Sequence, residues 1–224
     1  MSPTFTPAKF DDSTPYMLAK FPWPEPEPSA DEVRRHSWGM VYKENKSFAT
    51  PLGGKEIGKV TAEQYKEFLE QSYGVTGVQE AHQVIDHFLE GGQHVENDFL
   101  LPLAYAVKDV PEHELAAEIE EKVEFLKDFF AGTGVDTRGG EHKFRHLVRL
   151  LRSEKFVSAT APALPTTTRA WDIIRVHNVG GPATELGWIS PEEFLQISDK
   201  AVAALQHHFV SWADVAASFW WGRM

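Results

Sequence analysis

The stretch Ser190-Pro-Glu-Glu-Phe194-Leu-Gln-Ile197-Ser-Asp-Lys-Ala201-Val-Ala-Ala-Leu205-Gln-His-His-Phe209 decides the fold class. Ser190 is a residue type whose side-chain oxygen accepts a free backbone N–H at a helix start. Pro191 follows at the first helical position, and Glu193 stands where a reciprocal cap forms. Phe194, Ile197, Ala201, Leu205 and Phe209 then recur every three or four residues, the period of a helix with one buried face. Just beyond, Ser211-Trp-Ala-Asp214 starts a last helix that ends in Phe219, Trp220, Trp221, Gly222 and Arg223.

The same grammar continues toward the N-terminus. Thr61-Ala-Glu-Gln64 is a capping box ahead of Tyr65, Phe68, Leu69 and Tyr73. Thr76-Gly-Val-Gln79 repeats that pattern before Val78, Ala81, Val84, Ile85, Phe88 and Leu89, and Gly91-Gly92 supplies a stop. A further helix includes Phe99 to Val107. Pro111 opens the longest one, with Leu115, Ile119, Val123, Leu126 and Phe130 inward and Glu and Lys on the other side. Gly132 to Gly140 reads as a loop. Glu141 to Phe156 reads as a basic amphipathic helix with Phe144, Leu147, Val148 and Leu151 inward, and residues 159–167 read as a linker. Asp31 to about Phe48 reads as a first helix, with Val33, Trp38 and Val41 or Tyr42 on its apolar side.

No strand-length alternation competes with these patterns, so the expected architecture is all-α, a compact multi-helix bundle. Seven of the fourteen prolines fall in the first 28 residues, and the run Phe21-Pro-Trp-Pro-Glu-Pro-Glu-Pro28 favours extended polyproline II. Residues 1–30 are therefore read as a Pro-rich arm and residues 31–224 as a single helical domain.

Composition bounds the function. The 224 residues include no cysteine, which removes disulfides, thiolate metal sites and cysteine nucleophiles. The net charge of −11 repels phosphate backbones, so no nucleic-acid partner is expected. It suits a protein partner with a basic surface. The start Met-Ser-Pro-Thr-Phe-Thr-Pro lacks a basic segment followed by an apolar run, and no apolar stretch is long enough to span a bilayer. No membrane association and a cytoplasmic location are expected.

Three groups of residues are candidates for chemistry. Gly53-Gly-Lys-Glu-Ile-Gly58-Lys59 fits the start of a phosphate-binding loop, but Val60 stands where Ser or Thr would hold magnesium, and no apolar strand precedes it. A flexible loop before the Thr61 cap explains the same residues. His142 and His146 share a helix face at metal-ligand spacing. His82 and Asp86 do likewise, with His87 and His94 nearby. The paired Glu-x-x-His elements of a di-iron bundle are missing, so surface roles are favoured and no metal or other cofactor is assigned. The third group is Asp172, Arg175 and Asn178, a row at successive spacings of three beside Trp171, Ile174 and Val179. Such a row lines a polar pocket or forms a buried packing network, and the network is the commoner use. Trp188 and Arg223 are further candidate members, and Gly180-Gly181-Pro182 reads as a break after Asn178.

The segments Ala170-Trp-Asp-Ile-Ile-Arg175-Val-His-Asn178, Leu186-Gly-Trp188-Ile-Ser-Pro-Glu-Glu193, Phe209-Val-Ser-Trp212 and Gly222-Arg223 resemble a bacterial family known as domain of unknown function 1266. Ser72-Tyr-Gly74 through Glu90-Gly-Gly-Gln-His94 is similar to earlier elements of that family. The resemblance covers roughly residues 60–224 and is specific over the last 55. The chain departs from the family pattern at Gly180-Gly181-Pro182 and at Gly92-Gln93 before His94. The resemblance implies a bacterial, cytosolic, helical protein and brings no activity with it.

Three functional readings follow. The first is a non-catalytic protein-binding module, such as the immunity partner of a bacterial toxin, rather than an enzyme. The second is a small-molecule-binding protein or enzyme whose pocket is lined by Asp172, Arg175 and Asn178. The third is a metal-dependent helical-bundle enzyme using His142 and His146.

Overall fold

A computed structural model describes residue 38 and residues 61–133, 137–153 and 165–223. The arm over residues 1–30, the body of the Asp31 to Phe48 helix, the Gly53 loop and most of the 159–167 linker lie outside the described residues. Among those described the chain is all helix, with no strand. In chain order the helices are α1 (Ala62–Tyr73), α2 (Val78–Glu90), α3 (His94–Val107), α4 (Glu112–Phe129), α5 (Thr137–Leu151), α6 (Arg169–Glu185), α7 (Pro191–His208) and α8 (Trp212–Gly222).

Three helix starts follow directly from side-chain chemistry. The Thr61 hydroxyl accepts the Gln64 backbone N–H at 3.2 Å, and Gln64 Oε1 accepts the Thr61 N–H at 2.8 Å, so the capping box of α1 is complete. Gly74 ends α1 in the left-handed conformation, φ 67°, and returns its N–H to Glu70. Ser190 caps α7 by accepting from the Glu193 N–H at 3.1 Å, with Pro191 behind it. Ser211 caps α8 in the same way through Asp214.

Four expectations need correction. The cap of α2 is Gly77, not Thr76, and no side chain caps it, because the extended backbone at Gly77 begins the helix one residue later. Helix α5 starts at Thr137 and ends at Leu151, so the end of the expected loop is helical and Gly139 and Gly140 lie within the first turn. The longest helix is matched rather than unique, α4 and α7 both having 18 residues. Finally, Gly180-Gly181-Pro182 is no break. Helix α6 runs on to Glu185, and the Thr184 hydroxyl donates to the Gly180 carbonyl at 2.7 Å. The continuation has a packing reason. A Cβ on Gly180 would collide with the Phe194 ring, so the glycine is where α7 approaches the α6 backbone.

The chain groups into two compact units. Among the described residues, the first comprises Trp38, 61–92 and 172–215. Its buried side chains include Trp38, Tyr65, Leu69, Ile85, Phe88, Ile173, Phe194 and Leu205. The second comprises the described residues of 93–133, 137–153, 165–171 and 216–223. There α3 and α5 pack along one another and α4 lies against both. Leu100, Leu101, Val123, Leu126, Phe144, Leu147, Val148 and Trp221 form its core. Leu115, Ile119 and Phe130 complete the expected α4 face as partly buried members. Arg152 closes this unit at one end, donating to the Lys108 and Val110 carbonyls at 2.9 and 2.7 Å and to Glu112 at 2.9 Å.

Candidate functional site

In the first unit, the sequence Asp172-Ile-Ile-Arg175-Val-His-Asn178 meets partners that spacing alone does not name. Asp172 is fully buried, and Arg175 and Asn178 are nearly so, at 7% and 8% exposure. Arg175 Nη2 donates to Asp172 Oδ1, one helical turn back. The guanidinium carbon lies over the Phe88 ring of α2, 4.1 Å from its centre, where the negative ring face meets a desolvated cation. Asn178 Nδ2 donates to Tyr73 Oη at the end of α1, at 2.8 Å. Tyr73 in turn meets Phe68 and Phe88 edge-on, at 5.7 and 5.9 Å.

Electrostatics agree with this geometry. Burial pushes the Tyr73 phenol up from its ordinary value, while the hydrogen bond from Asn178 and the charge of Arg175 pull in the opposite direction. The phenol therefore stays neutral through the physiological range and acts as a hydrogen-bond acceptor for Asn178. Behind Asp172 sits Gly92, with φ +84°. Any Cβ there would collide with the Asp172 carboxyl, so this position needs glycine both for its backbone and for its space. His177 points elsewhere, between Trp38 at 5.0 Å and Phe194 at 5.3 Å, both edge-on.

The remaining members of the expected row lie differently. Trp188 is partly buried in the turn after α6, its backbone N–H donating to the Ala183 carbonyl at 2.9 Å. Trp171 and Arg223 fall in the second unit. Trp171 leans on Phe219 at 5.2 Å, and Gly222 packs so closely that a Cβ would strike Trp171 Cβ. Arg223 is exposed.

The second unit has a polar cluster of its own. The Asp98 carboxylate accepts from the Thr168 N–H at 2.7 Å, the Thr168 hydroxyl at 3.1 Å and the Thr167 hydroxyl. These bonds anchor the start of α6. Arg169 Nη1 meets His94 Nε2 at 2.9 Å, and the Ala170 N–H donates to the buried Ser218 hydroxyl at 3.0 Å. Tyr105, bonded to the Pro165 carbonyl, is pushed up to about 12 by burial and by the Asp98 charge. None of these contacts was anticipated, because pairs 48 to 75 residues apart leave no local pattern.

The histidines do not converge. His142 is exposed, and His146 Nδ1 faces Arg149 Nη2 at 2.7 Å. Burial, Arg149 and His142 together hold the His146 imidazole below its ordinary value. A cation in that place repels a second cation, and among the described residues no three His, Asp or Glu side chains form a group able to hold a metal. His82 instead faces Glu193, 3.5 Å away.

One surface feature escaped the sequence reading. Phe125 and Phe129 on α4 are 46% and 55% exposed, although Phe129 also meets Phe99 and Phe130 at 5.0 Å each. The inward pattern of α4 is legible without them, so they read as spare residues of the charged face.

Fold and site thus define an all-helical protein organised around buried polar side chains, with no helix among the described residues long and apolar enough to cross a membrane. The family model described as "Protein of unknown function (DUF1266)" matches residues 68–224, and the chain belongs to that family. No curated protein and no solved structure matches the chain.

Proposed function

We propose that this protein is a non-catalytic binding module that docks a partner protein through the outer face of α4. The exposed pair Phe125 and Phe129, whose rings lie 5.9 Å apart, carries the reading. Covering the exposed half of one such ring stabilises an interface by about 1 kcal/mol, and aromatic anchors dominate protein interfaces. Glu114, Glu118 and Glu121 precede Phe125 by eleven, seven and four residues and continue the same helical stripe. Seven carboxylates stand on α4 against Lys122 and Lys127, which selects a partner with a basic rim and an apolar centre. A cytosolic immunity protein covering a basic toxin is one instance of that chemistry. The Asp172, Arg175 and Asn178 row is proposed as the packing network that fixes α6, since Arg175 meets Asp172 and Phe88 and Asn178 meets Tyr73. Neither a pocket lined by that row nor a metal site at His142 and His146 is favoured by any contact these residues make.

Photo-crosslinking in cells of the source organism tests the docking face. A benzophenone amino acid replaces Phe125 or Phe129 in turn, and the exposed Gln79 serves as control. A discrete protein adduct from the α4 positions and none from Gln79 is the expected result. No adduct at either phenylalanine, or the same adducts at all three positions, overturns the reading.

A further inference from the structure

Helices α4 and α5 are antiparallel neighbours. Arg145 of α5 holds Glu120 of α4 at 2.9 Å, and one end further on Arg152 holds Glu112 at the same distance. That seam uses one side of each helix, and the core uses another. Beyond the seam, helical geometry turns two rows outward. On α4 the row is Glu121, Glu124 and Asp128. On α5 it is Arg138, His142 and Arg149, at spacings of four and seven. All six side chains are exposed. Glu121 and Glu124 are only locally offset, by Lys122 and Lys127 at 2.8 Å. The described contact of the Arg149 side chain is to an imidazole, not a carboxylate.

An acidic row thus runs beside a basic row on one surface, and such a surface is complementary to itself. We infer that this face binds a second copy of the chain, with α4 of each copy lying on α5 of the other. A two-fold axis along the seam brings Asp128 over Arg138 and Glu124 over His142, twice in the dimer. The alternative axis across the seam lays acid on acid. The pairing is isologous and closes at two copies. The net charge of −11 on each chain opposes it only at long range, and physiological salt screens charges more than about 8 Å apart. This surface adjoins the Phe125 and Phe129 stripe and shares Glu121 with it.

Charge exchange tests the proposal with the full chain. Sedimentation velocity at about 0.15 M salt is expected to show a dimer at high micromolar concentration, dissociating at about 1 M salt, where the screening length falls to roughly 3 Å. The double variants Arg138→Glu with Arg149→Glu, and Glu124→Lys with Asp128→Lys, each weaken self-association by about tenfold or more. Mixing the two variants restores the dimer, because both faces of the mixed pair are again opposite in sign. Circular dichroism confirms that each variant folds. A wild-type chain that stays monomeric, or a mixture that associates no better than its components, overturns the inference.

Discussion

Helices α6 and α5 make opposite uses of charge. From Asp172 to Ala183 every residue of α6 is buried, including Asp172, Arg175, His177 and Asn178. Helix α5 buries only Phe144, Leu147, Val148 and Leu151, and sends its cations to the edges and outward. In α6 a polar side chain is held on several sides at once, by its own helix, by Tyr73 and by Phe88. In α5, Arg145 meets Glu120 and Glu141 at the surface. The same residue types therefore carry different energetic weight, and burial decides which.

The largest effect expected from this contrast is at Arg175. Its replacement by alanine leaves the Asp172 carboxylate buried beside Gly92 without the guanidinium, and unfolding by urea should show a loss of about 3–5 kcal/mol. A near-wild-type midpoint would show that the row is open to water and would favour a pocket. Tyr73→Phe is intermediate. It removes the hydroxyl that accepts from Asn178 but keeps the ring between Phe68 and Phe88, and a loss of about 1 kcal/mol is expected in the same assay. Arg145→Ala is the smallest. Its bonds to Glu120 and Glu141 are at the surface, so the loss stays below about 1 kcal/mol and shrinks with added salt. If Arg145 proved costlier than Arg175, the distinction between the two helices would fail.

These same helices show how far the amino-acid sequence can be read. Helix α5 was legible because its apolar residues repeat on one side, and the capped starts of α1, α7 and α8 were legible because Thr61, Ser190 and Ser211 act locally. Helix α6 was recognised through the motif around Asp172 and Arg175, but its end was misread. Glycine and proline normally interrupt helices, and only the position of Phe194, fourteen residues beyond Gly180, explains why a glycine is needed there. Gly77 starts α2 without a side-chain cap, so Thr76 was a decoy. The Asp172 to Arg175 pairing followed from a spacing of three. The parts played by Tyr73, Phe88 and Gly92 did not, because they depend on which helices come together. Asp98 holding Thr167 and Thr168 is hidden for the same reason. Phe125 and Phe129 show the converse, since an apolar residue off the core stripe carries no local sign of whether it is covered.

The continuous burial of α6 has a consequence in time. A helix with one wet face can fray and let solvent reach its amides while its packing survives. From Asp172 to Ala183 there is no such face, so these amides trade hydrogen with solvent only when the surrounding body opens as a whole. That single helix is the slow clock of its unit, and its exchange rate reads out how often the unit comes apart.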